Sequence, residues 1–152
     1  MAYSLSSKVL GVVAASLLLA QSPFASAHTK RAVFDPAGDR AAFTALARAT
    51  CFDDGAGAPA SLVVRIRDNS APVEGLYLSL QIIKGTQAIS TTDTTSGDAA
   101  YSDLVAIYGG AGVYTLVLTH TRAGTRDFDI EWHCLTASGA HTGTDIMVDQ
   151  FQ

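Results

Sequence analysis

RDFDIEWHC, residues 126–134, is the stretch that decides the fold. Apolar and polar residues alternate along it, and since successive side chains of a β strand point to opposite faces, the pattern predicts a strand with one buried face. The predicted inward residues are Phe128, Ile130, Trp132 and Cys134, and the predicted solvent-facing residues are Asp127, Asp129, Glu131 and His133. The apolar set must face a core, because exposing a large apolar side chain forfeits about 1.5–3 kcal/mol.

The chain around this stretch resolves into short alternating segments separated by turn residues. They occupy residues 61–67, 76–83, 86–92, 101–107, 113–120 and 144–151. Period-two alternation with turns roughly every eight to twelve residues is typical of a β-sandwich. We therefore predict an all-β, antiparallel sandwich of about seven strands over residues 38–152, preceded by an extended arm over residues 28–37.

Residues 38–51, GDRAAFTALARATC, fit two structures. A helix would gather Phe43, Leu46, Ala47 and Cys51 along one stripe, and the alanines favour it. A strand would instead point Phe43, Ala45, Ala47, Ala49 and Cys51 inward. The surrounding strands favour the second structure, as a first strand at the edge of the sandwich.

The N-terminus has the three parts of an export signal. Lys8 precedes an apolar run over residues 9–20, and small residues near its end place the cleavage between Ala27 and His28. At about 1.5 Å per residue the run spans roughly 18 Å, which is short of a bilayer core of about 30 Å. We predict that residues 1–27 are a cleaved signal peptide and that the product is periplasmic or secreted.

Cys51 and Cys134 are the two cysteines of the chain. An isolated pair in an exported protein is by default a disulfide. Closing a loop of about 84 residues would stabilise the fold by roughly 4–5 kcal/mol. A metal-binding or redox-active pair is the alternative, but the sequence has no C-x-x-C motif and no Cys/His ligand spacing.

Composition narrows the classes of partner. The residues after the signal carry 9 Lys and Arg against 14 Asp and Glu, a formal net charge of −5. This charge, without a basic cluster, argues against nucleic acid, and no second apolar stretch has the length of a membrane span. The sequence also lacks a G-x-S-x-G elbow and a phosphate-binding glycine loop. We predict no catalytic residues and, as partner, a protein or a small ligand.

Two segments resemble bacterial immunoglobulin-like sandwich domains. VVRIRDNSAPVEGLYLSLQI, residues 63–82, is an alternating strand ending in Asp, then a Pro-Val-x-Gly turn into another strand. GGAGVYTLVLT, residues 109–119, is a glycine-rich turn followed by a strand. The resemblance implies an immunoglobulin-like arrangement of the strands and carries no chemistry.

His28 is the first candidate for chemistry. Cleavage after Ala27 would offer its α-amine and its imidazole Nδ1 to one metal ion, and such a nitrogen pair suits Cu(II). An α-amine titrates near pH 7.7–8.0, so it is partly available at neutral pH. A mature N-terminal histidine on an immunoglobulin-like sandwich is similar to the periplasmic copper carriers of the CopC type and to the lytic polysaccharide monooxygenases. That resemblance implies copper as a cofactor and, for the second group, copper-dependent oxidation.

Further copper ligands would come from His133, His141 and Asp145, with His120 as another candidate. The carriers use a closely spaced Asp and His, whereas His141 and Asp145 in HTGTD are four residues apart in the reverse order. Each histidine also has a purely structural interpretation. His133 and His141 would then be solvated surface residues, and His120 an edge residue at the rim of the core.

The sequence thus leads to two expectations. The first is an exported, non-enzymatic immunoglobulin-like domain that binds a partner protein or a small ligand. The alternative is a periplasmic copper-binding protein that uses the His28 chelate, with oxidation as its enzymatic extension.

Overall fold

The computed structural model describes residues 28–152, so the predicted export signal lies outside the described residues. Nine strands occupy this range: β1 His28–Phe34, β2 Thr44–Phe52, β3 Pro59–Asp68, β4 Leu78–Lys84, β5 Gln87–Asp93, β6 Val105–Ile107, β7 Gly112–His120, β8 Arg126–Thr136 and β9 His141–Phe151. Every ladder between them is antiparallel. Within residues 28–152, no helix has the length and apolarity needed to cross a bilayer.

The strands form one path in the order β5-β4-β7-β2-β9-β8-β3-β6, and β1 pairs with β8 beside this path. We call β1, β8, β3 and β6 the front layer and β5, β4, β7, β2 and β9 the back layer. Strand β9 joins the two layers, because its first residues pair with β8 and the rest of it pairs with β2. The result is a nearly closed, barrel-like sheet.

The alternating residues meet between the two layers. Leu62, Val64 and Ile66 of β3 are fully buried, as are Leu78 and Ile82 of β4. The β3 residues are two apart and the β4 residues are four apart, with the buried Leu80 between them, so a single face of each strand supplies the core. The local alternation in the sequence is therefore the direct cause of the layered core.

The predicted disulfide is confirmed. Cys51 of β2 and Cys134 of β8 are bonded, with 5.5 Å between their Cα atoms. Both side chains are buried. Because β2 and β8 are not ladder partners, the bond ties the back layer to the front layer.

Two expectations about strands were wrong. The structure has nine strands in residues 28–152, not about seven, and β2 lies between β7 and β9 and not at an edge. The first error has its cause in β1, where Lys30 occupies the face of the strand that also carries Ala32 and Phe34. A charged residue at that position hides the alternation on which strand prediction depends.

The polar face of β8 does not look onto open solvent as expected. Asp129 is buried, and each acid on this face is bound by an arginine of a neighbouring strand. The pairs are Arg31–Asp127, Arg67–Asp129 and Arg65–Glu131. The ring of Tyr101 lies under the Arg65 and Arg67 guanidinium groups, 4.4 and 4.6 Å from its centroid. This charged face is thus a paired and covered surface.

Candidate functional site

The candidate site lies where two strands share one edge of β8. β1 pairs with β8 from Arg126 to Trp132, and β9 pairs with it at Cys134 and Leu135. Beyond these residues β9 leaves for β2 and runs along it to Phe151. Over the described chain no ladder joins β1 to β9, so the two layers part between them.

Gly143 permits β9 to leave β8. A side chain at this position would meet the Phe52 ring at 2.5 Å and the Phe52 carbonyl oxygen at 2.7 Å. Real Cβ atoms do not approach backbone that closely, so only glycine lets β9 lie directly against the end of β2. Gly143 is therefore needed at the point where β9 leaves β8 and joins β2.

A cavity of about 330 Å³ lies between the layers at this gap. Its lining is Lys30, Ala32, Ala45, Ala47, Leu80, Leu116, Leu118, Phe128, Ile130, Trp132, Ile146, Val148 and Phe151. All of these side chains except Lys30 are apolar. Because Lys30 and Val148 are both exposed, on the two strands that do not pair, we place the mouth of the cavity between β1 and β9.

Small residues make room for the cavity. Ala45 and Ala47 line it from β2, and Ala32 lines it from β1. Interiors are normally packed to crystal-like density, so alanines at consecutive inward positions leave a volume that leucine or valine would fill. Ala45 and Ala47 belong to residues 38–51, for which helix and strand were both open, and the structure has a strand that begins only at Thr44.

Trp132 forms one end of the cavity and carries an unused donor. Its side chain is 5% exposed. No hydrogen-bond partner for the indole Nε1 exists among residues 28–152. Buried indole N–H groups usually have an acceptor, and a buried donor without one costs about 1–3 kcal/mol. The cavity therefore combines an apolar body with one donor that has no partner.

A histidine cluster, which we define as His28, His133 and His141, lies beside this end. It lies at the position along β8 where the ladder with β1 ends, at Trp132, and the ladder with β9 begins, at Cys134. The centroids of the His133 and His141 rings are 4.3 Å apart, and those of His28 and His133 are 6.2 Å apart. The centroid of the His28 ring is also 5.9 Å from that of Trp132. Three of the five candidate ligands predicted from the sequence are thus brought together.

The pKa of His133 is lowered from its ordinary value, which favours the neutral imidazole. Burial lowers its pKa, the neighbouring His141 and His28 act in the same direction, and the hydrogen bond to Glu131 opposes them. Because the Glu131 carboxylate can only accept, the Nε2–H of His133 donates to Glu131 Oε1 at 3.2 Å. In the neutral tautomer that carries this proton, Nδ1 keeps a lone pair. That Nδ1 and the Nδ1 of His28 are buried without a partner in the part of the chain that is described. Both atoms are therefore available as ligands or acceptors.

The remaining candidates lie elsewhere. Asp145 is exposed and four residues along β9 from His141, a distance of roughly 13 Å in an extended strand. His120 is buried against Phe34, and its Nε2 lies 2.8 Å from the Arg40 carbonyl oxygen. The structure thus places His120 at the core rim, as its structural interpretation expects. Across residues 28–152, no three His, Cys, Asp or Glu side chains are arranged to hold a metal ion.

Sequence reasoning identified the histidines but missed the cavity. Two signals were available: the alternate alanines of residues 38–51, and Lys30 on the same strand face as Ala32 and Phe34. Neither can be interpreted without knowing which strands face each other. The chain matches no protein-family model, and comparisons with curated proteins and with solved structures also find no match.

Proposed function

We propose that this chain is an exported, non-enzymatic binding protein that holds a small apolar molecule between its two layers. The observation that carries the proposal is the cavity of about 330 Å³, whose lining is apolar except for Lys30. Ligand pockets range from roughly 300 to 1,000 Å³ and are lined mainly by apolar side chains with a few polar groups. The buried disulfide and the signal-like N-terminus support export to an oxidising compartment.

The immunoglobulin-like relationship is part of the same proposal. It is supported by the two segments that resemble such domains and by the antiparallel, two-layered arrangement. Immunoglobulin-like domains are scaffolds, so the function must come from the site and not from the fold. Here the site is the gap between β1 and β9.

The fluorescence of Trp132 can report ligand binding in the cavity. Trp132 is the single tryptophan of the chain and lines the cavity. We expect the uncharged fluorophore N-phenyl-1-naphthylamine to bind, to brighten on leaving water and to quench Trp132 emission by energy transfer. Ala47→Leu should weaken binding at least about tenfold by filling the cavity. The same variant should not lower the unfolding midpoint, because cavity filling commonly stabilises a protein.

Ala88→Leu is the matched control, because Ala88 lies exposed on β5, outside the cavity. This variant should bind the fluorophore as the unaltered protein does. Absence of Trp132 quenching, or equal affinity in Ala47→Leu and the unaltered protein, would refute a ligand site between the layers.

Binding of a Cu(II) ion is a second candidate function, favoured by the histidine cluster. The unpartnered Nδ1 atoms of His28 and His133 fit imidazole ligation, and His141 is near enough to join after its ring turns. The α-amine of His28 would add a nitrogen if cleavage occurs after Ala27. The fit is partial, since the cluster as it stands is not arranged around one point.

A titration separates these ligands. Intact mass should first show a product beginning at His28. Cu(II) should then produce a d–d absorption band that His28→Ala and His141→Ala each alter. Asp145→Asn should leave the band unchanged, because Asp145 lies apart from the cluster. A band that depends on Asp145 and not on His141 would contradict this placement.

A further inference from the structure

The inner face of β1 carries a charge that the fold does not use. Every second residue of β1 lies on this face: His28, Lys30, Ala32 and Phe34. Phe34 is fully buried in the core. Across the ladder, these residues face Trp132, Ile130, Phe128 and Arg126 in that order. Lys30 therefore lies on the side of the strand that lines the cavity, among apolar neighbours.

Lys30 has no acidic partner in residues 28–152. None of the ion pairs found there includes Lys30, and the neighbouring Arg31 pairs with Asp127. The acids of β8 alternate with its cavity-lining residues, so they point to the opposite face, where arginines bind them. A lysine can lay its apolar stem along a cavity wall and keep its ammonium in water. Lys30 is thus an uncompensated positive charge at the mouth.

Trp132 adds a second donor within reach of the same ligand. Lys30 pairs with Ile130 and His28 pairs with Trp132, so Lys30 and Trp132 are diagonal neighbours on one face of the β1–β8 ladder. Long side chains at diagonal positions reach each other. The indole N–H of Trp132 lacks an acceptor within the described range and is too buried for bulk water to supply one freely.

We propose that the cavity takes an anionic amphiphile, whose alkyl chain lies between the layers and whose carboxylate accepts hydrogen bonds from Lys30 Nζ and Trp132 Nε1. This inference rests on the proposed ligand site and names the chemical class that fills it. The apolar lining favours the alkyl chain of the ligand, and the two donors favour its carboxylate head group. A neutral ligand would leave the ammonium without a counter-charge, and a cationic one would be repelled by it.

Three ligands of equal chain length test the head group. Decanoate, 1-decanol and decyltrimethylammonium compete with N-phenyl-1-naphthylamine at neutral pH, where the carboxylic acid is ionised, and below their micellar concentrations. We expect decanoate to bind about tenfold more tightly than decanol, since hydrogen bonds to an ionised group are the stronger ones. Decyltrimethylammonium should bind most weakly, and added salt should weaken decanoate alone.

Variants of Lys30 assign the preference to its charge. Lys30→Gln should make decanoate and decanol bind alike, while Lys30→Arg should keep most of the difference. Trp132→Phe keeps an aromatic ring and removes the N–H, so calorimetry should show a weaker affinity for decanoate in this variant. Because Lys30 is exposed, neither of its variants should alter the unfolding midpoint by much.

The outcomes distinguish the two proposals. If the fluorophore and decanol bind but decanoate has no advantage, the anionic class is wrong and the apolar site stands. An advantage for decanoate that persists in Lys30→Gln also overturns the assignment to Lys30. If the fluorophore binds and none of the three ligands displaces it, the amphiphile is refuted. If the fluorophore itself does not bind at the cavity, the proposed function fails.

Discussion

Replacing both cysteines in Cys51→Ala/Cys134→Ala is expected to lower the free energy of unfolding by about 4–5 kcal/mol. The bond closes a loop with a sequence separation of 83 residues, and a cross-link that long removes much of the conformational freedom of the unfolded chain. Such a loss is a large part of the 5–15 kcal/mol that stabilises a typical domain. Guanidinium denaturation, followed by far-UV circular dichroism, measures it.

Reduction provides the control for this prediction. Adding a phosphine reductant to the unaltered protein under unfolding conditions should bring its stability close to that of the double variant. The same reductant should leave the double variant unchanged. A loss below about 1 kcal/mol in the double variant would show that the link between the layers contributes little.

Arg126→Ala should cost about 3–5 kcal/mol, because it leaves a carboxylate buried without its counter-charge. The Arg126 side chain is 4% exposed and its Nη1 lies 3.1 Å from Oδ2 of Asp68, whose side chain is fully buried. The same guanidinium donates to the Ala71 carbonyl oxygen and so ties down the turn after β3. Denaturation of the purified variant measures the loss.

Arg31→Ala is the matched control, at the middle of the β1–β8 ladder, where Arg31 faces Asp129. Arg31 also binds an aspartate, Asp127, but its side chain is 64% exposed. Exposed pairs contribute about 0–1 kcal/mol, so this variant should be nearly as stable as the unaltered protein. In an Arg126→Ala background, Asp68→Asn should recover part of the loss by removing the buried charge. Equal losses in Arg126→Ala and Arg31→Ala would contradict the distinction between buried and exposed pairs.

The strands of this protein were largely predictable, and their partners were not. The alternation in residues 126–134 correctly predicted β8 and the inward position of Cys134. The same local rule failed on β1, because Lys30 breaks the apolar pattern and the ladder with β8 alone makes the segment a strand. It also could not place β2, whose two flanking strands are distant in sequence.

The candidate site shows the same division. The histidines could be named as possible ligands from their residue type. Only the pairing of β1 and β9 with successive parts of β8 brings His28, His133 and His141 together. Asp145, predicted in the same set, lies apart because an extended strand carries it roughly 13 Å from His141. The cavity had no sequence motif at all, because its lining residues come from six strands.

The sequence by itself determined the period-two faces of most strands, the identity of the disulfide and the acidic charge of the domain. These properties depend on neighbouring residues or on composition, so they can be obtained from a short window of the chain. The tertiary structure decided which strands pair and where β1 and β9 part. Pairing depends on the total free energy of contacts between residues far apart in the chain, and no local pattern contains that sum. The cavity, the unpaired Lys30 and the histidine cluster are all products of that long-range choice.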